Sequence, residues 1–169
     1  WYRYHHLFAD VLNTHLINEH QDLVSKLHLR ASEWYEQNGL HADAIGHTLE
    51  AKEFVRAAAL IEKIYPTMDE YFQSDIWLEW IKALPKEIIQ NRPVLIVGHA
   101  WALFDRGDME AGMARLQEGE ELLQSWQNSQ NKDKSAASYI IVIDQEQFRF
   151  LPATIATARS YYAQVFENN

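Results

Sequence analysis

The sequence predicts an all-α chain of stacked helical hairpins, an α-solenoid, and three observations carry that prediction. Apolar residues recur at helical spacing along most of the length, as at Trp77, Trp80, Ile81 and Leu84. The two clearest breaks, Asn38-Gly39 and Arg106-Gly107, end such stretches with a glycine, the residue that lets a last helical turn enter the left-handed region. Small residues at Ala44, Ala51, Ala57, Ala58 and Ala59 allow helix axes to approach closely.

Taken in order, Trp1 to Tyr4 alternates large aromatic and basic residues and predicts a short strand, which needs a partner upstream to be stable. A helix follows over His5 to Ile17, with Leu7, Phe8, Val11, Leu12 and Leu16 on one side. The next starts near Asp22 and carries Leu23, Leu27, Ala31, Trp34 and Tyr35 on its stripe. Ala42, Ile45 and Leu49 make the stripe of a third. Phe54, Ala57, Ala58, Ile61 and Ile64 make that of a fourth, which Pro66 is expected to stop.

Met68, Tyr71 and Phe72 predict a short amphipathic turn, and the Trp77 helix ends before Pro85. Pro85 and Pro93 are each placed to open a helix, a brief one with Ile88 and Ile89, then a long one with Val97, Ala100, Trp101 and Phe104. Met109, Met113, Leu116, Leu123 and Trp126 form its antiparallel partner. Residues 128–134, NSQNKDK, are polar and aperiodic and predict a loop. Residues 136–150 hold a β-branched and aromatic run, Tyr139 to Ile143, but sit among helices, so a helix is expected there too. Pro152 is expected to open the final helix, through Ile155, Ala158, Tyr162 and Val165.

Composition limits the chemistry. Apolar residues at 47% and charged residues at 23% are those of a folded chain. A net charge of -9, with no window rich in Lys and Arg, argues against direct contact of this segment with nucleic acid. The absence of cysteine excludes disulfides, thiolate zinc sites and a cysteine nucleophile. No apolar run is long enough to span a membrane and no signal-peptide layout opens the chain, so a cytoplasmic location is expected. The opening WYRYHH and the closing FENN lead us to expect a piece of a longer polypeptide.

Gly39 and Gly107 are 68 residues apart, twice the 34-residue period of tetratricopeptide hairpins. Around Gly107 stand Ala100, Leu103, Gly112, Leu116 and Gly119; around Gly39 the counterparts are Ser32, Tyr35, Ala44, Thr48 and Ala51. The wording goes further. YRYHHLFADVL (2–12), LHLRASEWYEQNGLHADAIGHTLEAKEFVRAAALIEK (27–63), WLEWIKALP (77–85), RPVL (92–95) and HAWALFDRGDMEAG (99–112) resemble, in this order, the middle of MalT-like, LuxR-type ATP-dependent transcriptional regulators. The likeness runs from Trp1 to about Trp126.

The resemblance implies that residues 1–18 end a winged-helix module and that residues 19–169 belong to a tetratricopeptide-like sensor region. It places an ATPase domain upstream and a helix-turn-helix domain downstream. The chain itself has no GxxxxGK[ST] loop and no basic recognition helix, so ATP belongs to the parent protein and no cofactor is expected in this segment. The expected function is therefore a non-enzymatic regulatory segment. It would couple a small-molecule inducer or protein partner to the neighbouring ATPase and winged-helix domains. The alternative is a free-standing tetratricopeptide adaptor that holds a peptide or protein.

No constellation supports catalysis or a metal. The eight histidines miss the spacing of a helical zinc pair, and Glu110, Glu118, Glu120 and Glu121 recur as a solvated helix face does. No G-x-S-x-G elbow is present. Trp34, Tyr35, Trp77, Trp80, Trp101 and Trp126 lie at stripe positions and are expected in the core. Trp77 and Trp80 stand three apart on one helix, too bulky for both to be enclosed, so Trp77, Trp80 and Trp101 are the candidates for an effector or partner surface.

Overall fold

A computed structural model of the chain describes residues 11, 14–16, 19–70, 74–130 and 139–167. The described residues are all-α, with helices α1 (Gln21–Gln37), α2 (His41–Glu50), α3 (Phe54–Glu70), α4 (Ser74–Ala83), α5 (Lys86–Ile89), α6 (Pro93–Asp105), α7 (Met109–Gln130) and α8 (Gln145–Glu167). They fall into two compact units, Trp1–Glu53 and Phe54–Asn169. The strand expected at residues 1–4 lies outside the described residues, as do residues 71–73 of the short turn.

Both glycine breaks close hairpins by one mechanism. Gly39 has φ +74 and Gly107 has φ +79. At the first, Gly39 N–H donates to Glu36 C=O at 3.1 Å and Leu40 N–H to Tyr35 C=O at 2.9 Å. At the second, Gly107 N–H donates to Phe104 C=O at 2.8 Å and Asp108 N–H to Leu103 C=O at 3.0 Å. These paired bonds form a Schellman cap, which satisfies carbonyls that the helix end leaves open. A third cap of the same pattern ends α2 without glycine. Lys52 sits at φ 60, its N–H bound to Leu49 C=O and the Glu53 N–H bound to Thr48 C=O.

The residues paired by the 68-residue offset are the ones that face the partner helix. Ser32, Ala44, Thr48 and Ala51 are buried in the first hairpin, and Ala100, Gly112, Leu116 and Gly119 in the second. In the first, Thr48 Oγ1 donates to Ala44 C=O at 2.7 Å, which leaves Ser32 to donate to Thr48 at 2.6 Å. This corrects the stripe expected for the first unit. Ala42 is exposed, Leu27 is 43% exposed and Trp34 56%, while Ile45 of the expected stripe is fully buried beside the small and hydroxylated Ser32, Ala44, Thr48 and Ala51.

In the second unit, α6 is the central element: residues 93–98 are all buried, and Val94, Val97, Ala100 and Phe104 join Leu116, Leu123, Leu151, Ile155 and Ala158 in one core. Four expectations are corrected here. Helix α3 runs on through Pro66, and α8 runs through Pro152 rather than starting there. Helix α7 extends over residues 128–130. Residues 139–144 are not helical, and α8 takes up the chain from Gln145. An internal proline costs a helix about 3 kcal/mol, which burial of one or two large apolar side chains on the same helix offsets.

Tight packing at α6/α7 depends on a missing side chain. A Cβ built on Gly112 would lie 2.4 Å from the Phe104 ring and 3.1 Å from Ala100 C=O, whereas one on Gly46 in α2 meets nothing within 4 Å. Alanine gains about 1 kcal/mol over glycine within a helix, but overpacking costs about 1–3 kcal/mol. Gly112→Ala is therefore expected to lower stability by about 1–2 kcal/mol and Gly46→Ala to raise it by up to about 1 kcal/mol. Urea midpoints of the two variants check this; equal signs would refute the close approach.

Candidate functional site

A concavity lies within the second unit, lined from α3, α6 and the first half of α8. Its position depends on where α8 begins. Asp144 caps that helix: Oδ1 accepts the N–H groups of Glu146 at 2.8 Å and Gln147 at 3.2 Å. The non-helical run before it is held by the Ile141 N–H, which donates to Asn91 C=O at 2.7 Å. The β-branched run is thus a backbone tie and not a helix, and among the described residues it has no ladder partner that would make it a strand.

Beneath this tie lies a buried ion pair. Glu62 of α3 is fully buried and Arg92, at the start of α6, is 2% exposed; Nη1 of Arg92 donates to Glu62 Oε2 at 2.9 Å. Burial pushes the Glu62 carboxyl above its ordinary range. The Arg92 hydrogen bond and charge and the Ile143 N–H pull against that rise, and the Asp144 charge adds to it. Although the Ile143 N–H favours the ionised form, Glu62 Oε1 lacks a well-formed hydrogen bond, as does Arg92 Nε. The pair is only partly satisfied.

The cleft has a volume of about 700 Å³. Its lining includes Tyr65 and Pro66 of α3, Val94 and Trp101 of α6, and Gln147, Phe150, Leu151 and Thr157 of α8, together with Asp144 and Glu146 at the start of that helix. Trp101 is half-buried and held edge-on by Phe104, with ring centroids 6.1 Å apart at 88°. Phe150 is 61% exposed. Gln147 Oε1 is buried with no donor among the described residues.

The structure does not bring the three candidate tryptophans together. Trp77 is core: it is 1% exposed, packs on Tyr65 with centroids 5.5 Å apart, and its Nε1 makes a long 3.5 Å bond to Ile61 C=O. Trp80 is half-buried and lines no cleft described here. Trp101 alone lines the cleft. The α8 residues escaped sequence reasoning because the expected helix start at Pro152 put them in the wrong element. The Asp-Gln-Glu-Gln string at 144–147, a cap followed by an acidic first turn, was the signal that could have found them.

Several other titratable groups serve contacts elsewhere. Glu118 pairs with Arg115 at 2.6 Å, Glu121 accepts from Gln117 at 2.9 Å, and Glu120 pairs with Arg159 of α8. His28 and His47 share a hydrogen bond between their Nδ1 atoms at 2.8 Å, with Tyr35 stacked on His47. Among the described residues no group of three or more His, Cys, Asp or Glu is placed to hold a metal, and no helix is long and apolar enough to cross a membrane.

His99 lies on a smaller groove of about 280 Å³ with Lys82, Lys86, Arg115 and Glu118. Burial first, then the Arg115 and Lys82 charges, push its imidazole down to about 4, against the opposing pull of Glu118. The unfolded chain takes up the proton near 6.5, so the stability held above that pH is lost as pH falls toward 4. The loss is about 1–3 kcal/mol once partial solvent screening is allowed for. Relative to the parent, His99→Gln is expected to flatten the stability profile between about pH 7 and about pH 4.5. Parallel profiles in chemical denaturation would contradict it.

Comparison with known proteins finds similarity to part of one much longer protein. Over 102 residues, 60% of this chain, the sequence is 33% identical to serine/threonine-protein kinase PknK of Mycobacterium tuberculosis and of Mycobacterium bovis. The match covers 9% of that protein's length. No family model and no solved structure matches the chain.

Proposed function

We propose that this chain is a non-enzymatic regulatory and sensor segment of a multidomain MalT-like, LuxR-type transcriptional activator. In this reading residues 1–18 close a winged-helix module and residues 19–169 form the tetratricopeptide-like region. ATP is bound elsewhere in the parent, the location is the cytoplasm, and the segment's acidic surface does not meet DNA.

The observation that carries the reading is the cleft. An effector seated in it touches α3, α6 and α8, which are far apart in sequence, and so favours one packing of the three over others. A shift among helices packed this closely moves them as semi-rigid bodies, which the neighbouring winged-helix and ATPase domains then register. The ordered phrases shared with MalT-like regulators support this. So does the match to a short part of a much longer protein, which fits a segment working inside a larger chain.

The test begins with the parent coding sequence. A GxxxxGK[ST] loop upstream and a helix-turn-helix downstream are expected; finding neither would leave the free-standing adaptor in its place. The cleft is then tested in the full-length protein. Phe150→Ala, which alters an exposed wall, is expected to abolish inducer-dependent transcription, while Ile76→Ala, exposed and outside the cleft, leaves it unchanged. Equal response of both variants would remove the cleft from the mechanism.

A further inference from the structure

The cleft of the second unit also carries information about what it holds. We propose that it takes a small organic cation, an ammonium or guanidinium group on a compact apolar body. This rests on the cleft being the effector site.

Three observations point to that class. The first is the wall chemistry. Tyr65, Trp101 and Phe150 present aromatic rings from three helices, and a cation within about 6 Å of such a face is attracted by its quadrupole.

The second is charge. Asp144 and Glu146, at the start of α8, line the cleft, and no Lys, Arg or His lines it among the described residues. The cap explains one oxygen of Asp144, but among the described residues Oδ2 has no hydrogen bond and the exposed Glu146 has no ion pair. The positive end of α8 offsets about half a charge, so a net negative charge remains.

The third is Gln147, whose side-chain carbonyl is an acceptor without a donor. A hydroxyl or N–H of the occupant supplies what it lacks; a carboxylate supplies nothing. A volume of about 700 Å³ lies in the range that encloses a whole small molecule, which favours a free cation over a single side chain of a protein partner.

The experiment titrates the full 169-residue chain with choline, its neutral carbon isostere dimethylbutanol and the anion dimethylbutanoate, following the Trp101 indole and Phe150 amide resonances by NMR. Choline is expected to shift both, with dimethylbutanol about tenfold weaker and dimethylbutanoate inert. The double variant Asp144→Asn, Glu146→Gln removes the charge while Asn still caps α8. It is expected to weaken choline about tenfold and leave dimethylbutanol unchanged, with the circular dichroism of the parent.

Equal affinity for choline and dimethylbutanol would overturn the cation assignment while leaving an apolar effector cleft. Tighter binding of the anion would also overturn it, as would shifts mapping outside the cleft, no binding at millimolar choline, or binding only of a lysine-rich peptide. Failure of the effector reading is separate, since it shows as an unaltered inducer response in Phe150→Ala.

Discussion

Glu62→Ala is expected to destabilise the second unit by about 3–5 kcal/mol, the largest effect foreseen for any single polar residue here. The alanine leaves the Arg92 guanidinium, 2% exposed, with no countercharge in a site already short of hydrogen bonds at Nε. The attraction within the pair is not the source of the loss; the stranded charge is. Replacing both partners by apolar residues of similar size, Glu62→Leu with Arg92→Met, is therefore expected to recover most of it. Chemical denaturation of the single and double variants decides between these accounts, since a double loss as large as that of Glu62→Ala would show that the pair itself contributed the stability.

The same carboxyl has a pH signature of defined sign. Its pKa is raised in the folded chain, so the native state binds the extra proton. The contribution of this carboxyl is then greatest below the ordinary value of 4.5 and declines as pH rises through the folded value. Glu62→Gln is expected to remove that decline. This slope runs opposite to that of His99, so the two substitutions tilt the pH profile in opposite directions.

Trp77→Ala is expected to cost about 3–5 kcal/mol, and Trp80→Ala about 1 kcal/mol or less. The two residues share a helix and lie three positions apart, yet Trp77 fills the space beside Tyr65 and above Gly98, where an added Cβ would come within 3.0 Å of its ring. Deleting that indole opens a cavity which the helices, already in contact, cannot close. Thermal melts of both variants give the comparison. A Trp80 loss as large as that of Trp77 would mean that both indoles are core, and would refute the division between them.

Legibility followed the range of the interaction. The caps at Gly39 and Gly107, the helix start at Pro93 and the small residues repeated at a 68-residue offset are short-range features, and each is where the residues placed it. Lys52 closes the same kind of cap invisibly, because the left-handed region is only disfavoured for lysine and the packing of α2 overrides that cost. Trp34 looked like core by spacing and is half in solvent, because the hairpin packs through Ser32 and Thr48 on an adjacent face. Helical periodicity names a stripe but not which of two neighbouring stripes meets a partner.

The cleft was legible in one residue, Trp101, and hidden in the rest. Pro66 and Pro152 argue locally for chain breaks, and residues 139–143 argue locally for a strand; all three arguments fail against long-range contacts. Residue pattern alone thus established an all-α chain of hairpins and the turns that close them, since caps and periodicity act within one or two helical turns. Where α8 starts and which tryptophan is enclosed depended on Asn91 meeting Ile141 and Trp77 meeting Gly98. Such pairs are separated by tens of residues, and their free energy exists only once the helices have packed.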